Sequence, residues 1–545
     1  MKNASFLFLL FSFLIAKGQI TLEHTFDGNQ RHVSRVKLQY SGEKYYMHNK
    51  ATNEMVFYNA DYSFWKSIQL PAVPPPALSS GTIIFHVSEA KINPDANIEI
   101  IFSQYHNGAY ETIVCSENGT ILLTIPNADW VDISEIAGLP IKIIASNTSQ
   151  TLGSKVYSVP QLLLENTYPY ENLTRIVLEN SGEKYYVLDK ISGEAKIYNT
   201  DHTLWKSISL PLPANTLYLG ICFISETKIN PDALLEVGYS YYYNYSDIDY
   251  ESSIVNENNV VLKTIHGARS FNISVIEGVS NKLMVDIAPG FSTVFPYTSI
   301  YELPSLNLEH NYQRIVGRVL LENSGVKYFD SKIFINSMIS PPSIIPVMIY
   351  NNDHSLWKTV NLAYQFPITG SINIKSVSET KINSDALLEL VVGSQDQTLL
   401  DIQYEYMVVQ ENGTILLDVF GATNMYISEM QGSAIKLIAD FGDANYQLAF
   451  SSNVYGLAPL RVTDFENNAK NLVFPNPANS YLNIQKGTFP IVEAAIYSSN
   501  GVLVKQIKSP NITKIDVENL PTGSYILNLT ATDQLKSVHK IILTK

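Results

Sequence analysis

One stretch of eleven residues constrains the whole chain, because it occurs three times. Tyr58-Asn59-Ala60-Asp61-Tyr62-Ser63-Phe64-Trp65-Lys66-Ser67-Ile68 is followed by Tyr198-Asn199-Thr200-Asp201-His202-Thr203-Leu204-Trp205-Lys206-Ser207-Ile208. Tyr350-Asn351-Asn352-Asp353-His354-Ser355-Leu356-Trp357-Lys358-Thr359-Val360 is the third copy. The tryptophans stand 140 and then 152 residues apart. Self-similarity at a fixed distance marks an array of one structural unit. Two further landmarks keep the same order: Ser88-Glu89-Ala90-Lys91-Ile92-Asn93-Pro94-Asp95, echoed from Ser225 and from Ser378, and Val156-Tyr157-Ser158-Val159-Pro160, echoed from Ile300 and from Val454. The repeats therefore run over about residues 20–161, 162–305 and 306–460.

Inside a repeat, short runs of Val, Ile, Tyr and Phe alternate with Asn, Asp, Gly and Pro, the signature of strands and turns. The second copy reads as Thr174–Asn180, Glu183–Asp189, Ala195–Asn199 and Trp205–Leu210. A second group is Leu217–Ser225, Leu234–Tyr241, Glu251–Asn256 and Val260–Ile265. A third is Phe271–Ile276, Lys282–Ile287 and Thr298–Leu303, with Ser305–Asn311 from the head of the next copy as its fourth strand. No window sustains a 3.6-residue apolar period, so helices are expected to be nearly absent. Four short antiparallel strands in about 45–50 residues are what a propeller blade needs. The fold class is all-β: a propeller-like array of four-stranded blades, followed by a small Ig-like β-sandwich tail.

Three repeats of three blades make nine, above the usual range of about four to eight. The ring is unusually large, or one group per repeat is not a blade, or each repeat is a separate β-sandwich. The ends bear on this. Residues 20–26 match 162–168 and 306–312, yet no repeat precedes them. In a ring, this orphan strand would complete the last blade and hide edges that otherwise invite aggregation.

Composition narrows the function classes. A formal net charge of -14 with no offsetting basic run argues against nucleic acid as a partner. Two cysteines, Cys115 and Cys222, cannot form a disulfide framework and are read as small buried hydrophobes. Met1-Lys2-Asn3, an apolar run from Phe6 to Ala16, and the small pair Ala16 and Gly18 predict a secretory signal peptide over residues 1–18. No stretch reaches the length of a transmembrane helix, so the mature chain is expected to carry none.

Residues 461–471 read as a polar linker, and a different module follows over 472–545. Val473-Phe474-Pro475-Asn476-Pro477-Ala478-Asn479 opens it, then come Asn500-Gly501, Leu520-Pro521-Thr522-Gly523-Ser524-Tyr525 and a basic ending from Lys540 to Lys545. This module resembles the type A C-terminal sorting domain of the Bacteroidetes type IX secretion system, the Por secretion tail. The matching motif positions are Pro475, Asn476, Pro477, Gly501, Gly523 and Tyr525. The resemblance implies passage over the inner membrane by the signal peptide and over the outer membrane by the secretion machinery. The protein is then secreted or held at the cell surface.

Chemistry in the repeats is harder to find. The Asp-x-Ser/Thr-x-Trp stretch resembles the Asp box of sialidase-type propellers, one residue shorter and without its glycine. Asp61, Asp201 and Asp353 are expected to hold a turn, with Trp65, Trp205 and Trp357 plugging between layers. Asn93 with Asp95, Asn230 with Asp232, and Asn383 with Asp385 offer oxygens two residues apart. Turn-capping is preferred to a calcium loop, which needs about six to eight oxygens. Glu89, Glu226 and Glu379 are expected to form ion pairs with Lys91, Lys228 and Lys381 on the same strand face.

A site that does chemistry or binds a ligand needs unlike groups facing one another, so it should break the internal symmetry. Copy two alone carries the cluster Tyr241, Tyr242, Tyr243, Tyr245, Asp247 and Asp249, suited to stacking on sugar rings and bonding their hydroxyls. The alternative is a long hairpin whose alternate rings pack on the sheet. Copy three inserts residues 332–345, read as an extended loop that gates a surface. No catalytic motif, cofactor fingerprint or metal knuckle is present in the sequence. The reading is an exported β-repeat protein that binds a glycan or protein ligand. The alternatives are a polysaccharide-acting hydrolase on a propeller and a purely structural surface protein.

Overall fold

The computed structural model describes residues 20–27, 32–71, 82–106, 108–147, 153–243, 250–288, 295–339, 343–364, 368–383, 385, 387–396, 403–442, 451–457, 472–485, 490–498, 503–531 and 536–544. The chain divides into two units, Met1–Pro459 and Leu460–Lys545. No helix occurs among the described residues.

The first unit consists of four-stranded antiparallel sheets in chain order, numbered here 1 to 9. They cover residues 34–69, 83–126, 130–168, 174–209, 218–266, 268–311, 315–364, 368–420 and 422–456. In each of the first eight, the strands pair in sequence order. Sheet 9 has three strands of its own, Ala422–Ser428, Lys436–Phe441 and Ser451–Gly456, and takes its fourth from the start of the chain. Thr21–Phe26 pairs antiparallel with Ser451–Gly456, from Thr21 opposite Gly456 to Phe26 opposite Ser452. Leu164–Tyr168 and Leu308–Asn311 do the same for sheets 3 and 6. The orphan strand is therefore the closing strand.

Closure is also visible in the cores, because every hydrophobic cluster of this unit lies between two consecutive sheets. Phe57 and Met55 of sheet 1 meet Ile100 and Phe102 of sheet 2, and Ile101 and Val114 meet Ile143 and Tyr157 of sheet 3. The sequence continues through Tyr168 with Tyr185, Ile197 with Val237, Ile254 with Leu283, and Ile300 with Tyr328. Val347 with Val392 and Val408 with Leu437 bring it to sheet 9. The last cluster joins Val454 and Ile438 of sheet 9 to Tyr45 and Met47 of sheet 1. Among the described residues, nine sheets linked by nine cores form a closed, propeller-like ring, which agrees with the larger count. A sheet stacked on both faces buries its inner strands throughout, as in Glu236–Tyr242 and Tyr250–Asn256, rather than alternately. This explains why apolar runs, not clean alternation, mark those strands in the sequence.

Two expectations need correction. The described part of 332–345 is strand and not loop: Gly325–Ile339 is one strand of 15 residues and Ser343–Asn351 is the next, while residues 340–342 lie outside the described residues. The Ile333-Phe334-Ile335 run has the β-branched and aromatic character that favours strand, and it pairs with Ile368–Ser378 of sheet 8. Sheets 7 and 8 are thereby hydrogen-bonded into one eight-stranded sheet. Both cysteines are free, but only Cys115 is buried. Cys222 is exposed because the register between the first two strands of sheet 5 shifts at Ile221/Phe223, which turns the extra residue outward.

The second unit is a small β-sandwich. Leu472–Phe474, Tyr481–Gln485 and Lys514–Asp516 form one sheet, and Leu503–Lys508, Ile491–Ser498, Gly523–Ala531 and Lys536–Leu543 the other. Leu482, Ile484 and Ile515 pack against Ile496, Leu527 and Ile541 between them.

Candidate ligand-binding cleft

The junction between sheets 4 and 5 has two ends with different character. At one end, Glu226 closes the first strand of sheet 5 and reaches the turn that opens sheet 4. Its carboxylate accepts the backbone N–H groups of Asn180 (2.6 Å) and Ser181 (2.9 Å) and the Ser181 hydroxyl. Glu89 does this for Tyr40 and Ser41, and Glu379 for Asn323 and Ser324. In each copy these bonds hold the carboxyl below its usual range against the opposing effect of burial. The expected pairs with Lys91, Lys228 and Lys381 do not form, because the strand ends at each glutamate and the side chain turns to the preceding sheet. Those lysines pair instead with Glu135, Glu179 and Glu429.

Beside this latch, Trp205 lies partly buried against the core of sheets 4 and 5. Lys184 and Lys206 place their ammonium groups 4.9 and 4.5 Å from its ring centre. Trp65 has Lys44 and Lys66 at 4.6 and 4.2 Å, and Trp357 has Lys327 and Lys358 at 4.6 and 4.5 Å. The preceding aspartates hold the turn: Asp61, Asp201 and Asp353 accept the backbone N–H of Ser63, Thr203 and Ser355 at 3.0 Å. The next residue adopts a left-handed backbone, with φ of 67, 66 and 67° at Tyr62, His202 and His354.

At the opposite end of the same junction lies an open cleft of about 390 Å³. One wall comes from the segment between sheets 3 and 4 (Tyr170, Glu171, Asn172) and from sheet 4 (Tyr186, Leu188, Asp189, Lys190, Ile191). The other is the start of sheet 5, Tyr218, Leu219, Gly220 and Ile221. Asp189 ends its strand and its Oδ1 accepts the N–H groups of Ile191 (3.0 Å) and Ser192 (3.2 Å), which fixes the turn. Its Oδ2 lies 2.6 Å from Lys196 Nζ, and the same ammonium donates to the Tyr170 hydroxyl at 2.7 Å. Lys196 holds the Asp189 carboxyl well below the carboxylate range and is itself raised by Asp189 and then Tyr170. Asp189 and Tyr170 of the cleft wall are thus both held by Lys196, which does not itself line the cleft.

The rim is apolar. Ile191 is fully exposed and Tyr218 half exposed. Tyr218 stacks on Tyr242, with ring centres 5.4 Å apart and planes 7° apart, and Tyr242 meets Tyr250 edge-on at 5.5 Å. Gly220 leaves room for this arrangement, since a Cβ there would lie 2.7 Å from the Tyr218 hydroxyl.

Of the tyrosine cluster expected to bind ligand, Tyr242 therefore backs the cleft wall. Tyr241 is buried in the sheet 4/5 core and donates to Glu251 at 2.6 Å, and Tyr243 packs half-buried against that core. Tyr245, Asp247 and Asp249 lie outside the described residues. Turn residues Asn93/Asp95, Asn230/Asp232 and Asn383/Asp385 are far along the strands of sheets 2, 5 and 8 from this end. Sequence reading missed Tyr170, Asp189, Lys196 and Tyr218. The available signal was a comparison of the copies: Lys196 stands where the others have Val56 and Met348, Asp189 where they have Asn49 and Lys332, and Tyr170 where they have Gly28 and Arg314.

In the second unit, the motif residues Pro475-Asn476-Pro477 lie against the final strand: Asn476 Oδ1 accepts the Ile542 N–H at 2.8 Å, and Ala478 bridges Leu543 in parallel. Tyr525 is buried and donates to Pro521 O at 2.8 Å; Gly523 begins the same strand. Gly501 lies outside the described residues. Residues 472–544 match the secretion system C-terminal sorting domain, Por_Secre_tail. That domain addresses the chain to the type IX machinery and so to the outer surface or the medium. A comparison with curated protein sequences finds no match. Among solved structures, similarity extends to a Dos1 propeller (9% identity, TM-score 0.37, 81% of this chain and 96% of that one). It also extends to a eukaryotic initiation factor (10%, TM-score 0.40, 86% and 96%) and to the extracellular domain of BT4673 from B. thetaiotaomicron (10%, TM-score 0.23, 97% and 98%).

Proposed function

We propose that the nine-sheet ring is a recognition module delivered outside the cell by its sorting domain, and that it binds a carbohydrate chain in the sheet 4/5 cleft. The observation that carries this reading is the break in symmetry: unlike groups, Tyr170, Asp189 and Tyr218, face each other across a cleft at the sheet 4/5 junction, and other residue types stand at the equivalent places of copies 1 and 3. Tyr218 and Tyr170 offer ring faces for the C–H face of a sugar. Asp189, positioned by Lys196, and Asn172 on the same wall offer an acceptor and a donor for hydroxyl groups, the mixture of apolar wall and few polar anchors typical of ligand sites. Asp189, held ionised by Lys196, has no proton to donate to a leaving group and so would not serve as the general acid of a hydrolase.

A glycan array probed with the mature chain, beside Tyr218→Ala and Lys196→Met, tests the reading. Binding by the parent and its loss in both folded variants is expected; uniform silence of the parent array would refute it. The address is tested separately. Deleting residues 472–545 should leave the protein in the periplasm, and normal appearance of the truncated chain outside the cell would overturn that assignment.

A further inference from the structure

Two equivalent positions change together from copy to copy. Copy 1 has Phe26 with Tyr62, copy 2 has Tyr168 with His202, and copy 3 has Tyr312 with His354. Each pair lies where the last strand of one sheet meets an outer turn of the next, at the sheet 9/1, 3/4 and 6/7 junctions. In copies 2 and 3 the Tyr168 and Tyr312 hydroxyls lie 2.7 and 2.8 Å from Nδ1 of His202 and His354. Nε2 of each ring faces a carboxylate, Glu165 at 3.6 Å and Glu309 at 3.5 Å. In copy 1 the Tyr62 hydroxyl donates directly to Glu23, with no imidazole between.

A carboxylate offers only acceptors, so Nε2 carries the hydrogen of the neutral ring and Nδ1 is left to accept the tyrosine O–H. A second proton turns Nδ1 into a donor and forces that hydroxyl away. It also places a charge on side chains that are only 13% and 9% exposed. The carboxylates give little relief, since Lys142 and Lys282 already bind them at 2.5 and 2.7 Å. Asp201 and Asp353 are committed to their own turns. From the next sheet, the Tyr185 ring faces His202 at 5.3 Å and the Tyr328 ring faces His354 at 5.1 Å. His310 stacks on His354 at 4.6 Å, so protons on both set like charges face to face. Burial first holds His202 below the ordinary histidine range against the pull of Glu165, and at His354 burial and then His310 outweigh Glu309.

We propose that the ring carries an acid release at two of its junctions: in a mildly acidic medium His202 and His354 take up protons and loosen the 3/4 and 6/7 contacts, while the 9/1 junction, where the chain closes on itself, stays shut. The contrast rests on copy 1. Tyr62 keeps its proton throughout and is tied through Glu23 to Lys436, which binds the same carboxylate at 2.5 Å. A charge on His24 there meets the face of the Tyr62 ring at 4.8 Å, and one on His32 meets the Asp440 carboxylate at 3.7 Å. The sign follows from linkage. His202 and His354 bind protons less readily folded than unfolded, so their contribution is complete above the unfolded value of about 6.5 and is lost as pH falls from there to the folded value.

Hydrogen exchange of the full mature chain at about pH 7 and about pH 5, corrected for intrinsic rates, reads local opening at each junction. Exchange over residues 164–168, 198–203, 308–312 and 350–355 should rise about threefold or more on acidification, and exchange over 21–26 and 58–63 should not. Tyr168→Phe with His202→Tyr, and Tyr312→Phe with His354→Tyr, write the copy 1 pair into the other two copies. Each double variant should abolish the rise at its own junction and leave the other unchanged. His202→Gln and His354→Gln remove the titrating ring alone and should do the same, which keeps the test valid if a double variant does not fold. An equal rise at all three junctions, no rise in the parent, or a rise that survives in a folded variant at its own junction overturns the proposal.

Discussion

The two ends of the sheet 4/5 junction differ in how the three copies treat them. At the latch end, tryptophan, two lysines and a glutamate recur with distances that agree to within about half an ångström. At the cleft end the cap of one turn recurs, Asn49 serving in copy 1 as Asp189 does in copy 2, but Tyr170, Lys196 and Tyr218 do not. Copy 2 leaves a cleft walled by Tyr170, Asp189 and Tyr218. Copy 3 closes the same gap by extending Gly325–Ile339 until Lys332, Ile333, Phe334 and Ile335 pair with sheet 8. Side chains present in every copy are what a sheet needs to dock on the next one. Side chains present once are free to serve something outside the ring.

The largest expected effect is at the repeated end. Trp205→Ala should destabilise the first unit by about 3 kcal/mol, read from urea unfolding, through lost packing and lost cation–ring contacts. Trp65→Ala and Trp357→Ala should match it; a spread wider than the change itself would break the equivalence of the latches. Glu226→Gln should cost about 2 kcal/mol, since the amide keeps one acceptor but loses the charge that holds two backbone N–H groups. Replacing Asp189 by Asn should cost about as much or less, and its signature is the pH dependence. The folded carboxyl lies below its unfolded value of about 3.9, so its stabilisation is complete above that pH and is lost as pH falls through the folded value. Parent and Asp189→Asn should differ most at pH 7, and the difference should shrink steadily as pH falls from about 4 to 2 without vanishing; a constant difference would mean that the ion pair contributes nothing. The smallest effect on stability, within about 0.5 kcal/mol, should come from Tyr218→Ala, whose ring is half exposed. It should nevertheless reduce glycan binding at least tenfold if the cleft is the site.

Much of the ring was legible before the structure. In copy 2 the expected strands agree with the observed ones to within a residue or two at most ends, because Gly, Pro, Asn and Asp punctuate them. The closing role of residues 21–26 followed from a repeat unit lacking its predecessor. What was not legible depends on contacts between sheets. Glu226 looks like a partner of Lys228 two residues away, and only the stacking of sheet 5 on sheet 4 gives it the turn at Asn180. Glu99 is one carboxylate among many in a strand of apolar residues, and nothing local shows that it is enclosed. The cleft was missed because identity among copies drew the eye, whereas Lys196 in place of Val56 and Met348 is informative only by difference.

The pairing of Thr21 with Gly456 spans nearly the whole ring in sequence, so the circle closes only after its last sheet has been made. A chain that stops anywhere short of Ser451 leaves the last sheet without its partner and the first strand with none, two bare edges that aggregate or are degraded. Because the sorting domain is made later still, only a polypeptide already long enough to seal itself carries the address for departure. The fold thus acts as its own length gauge.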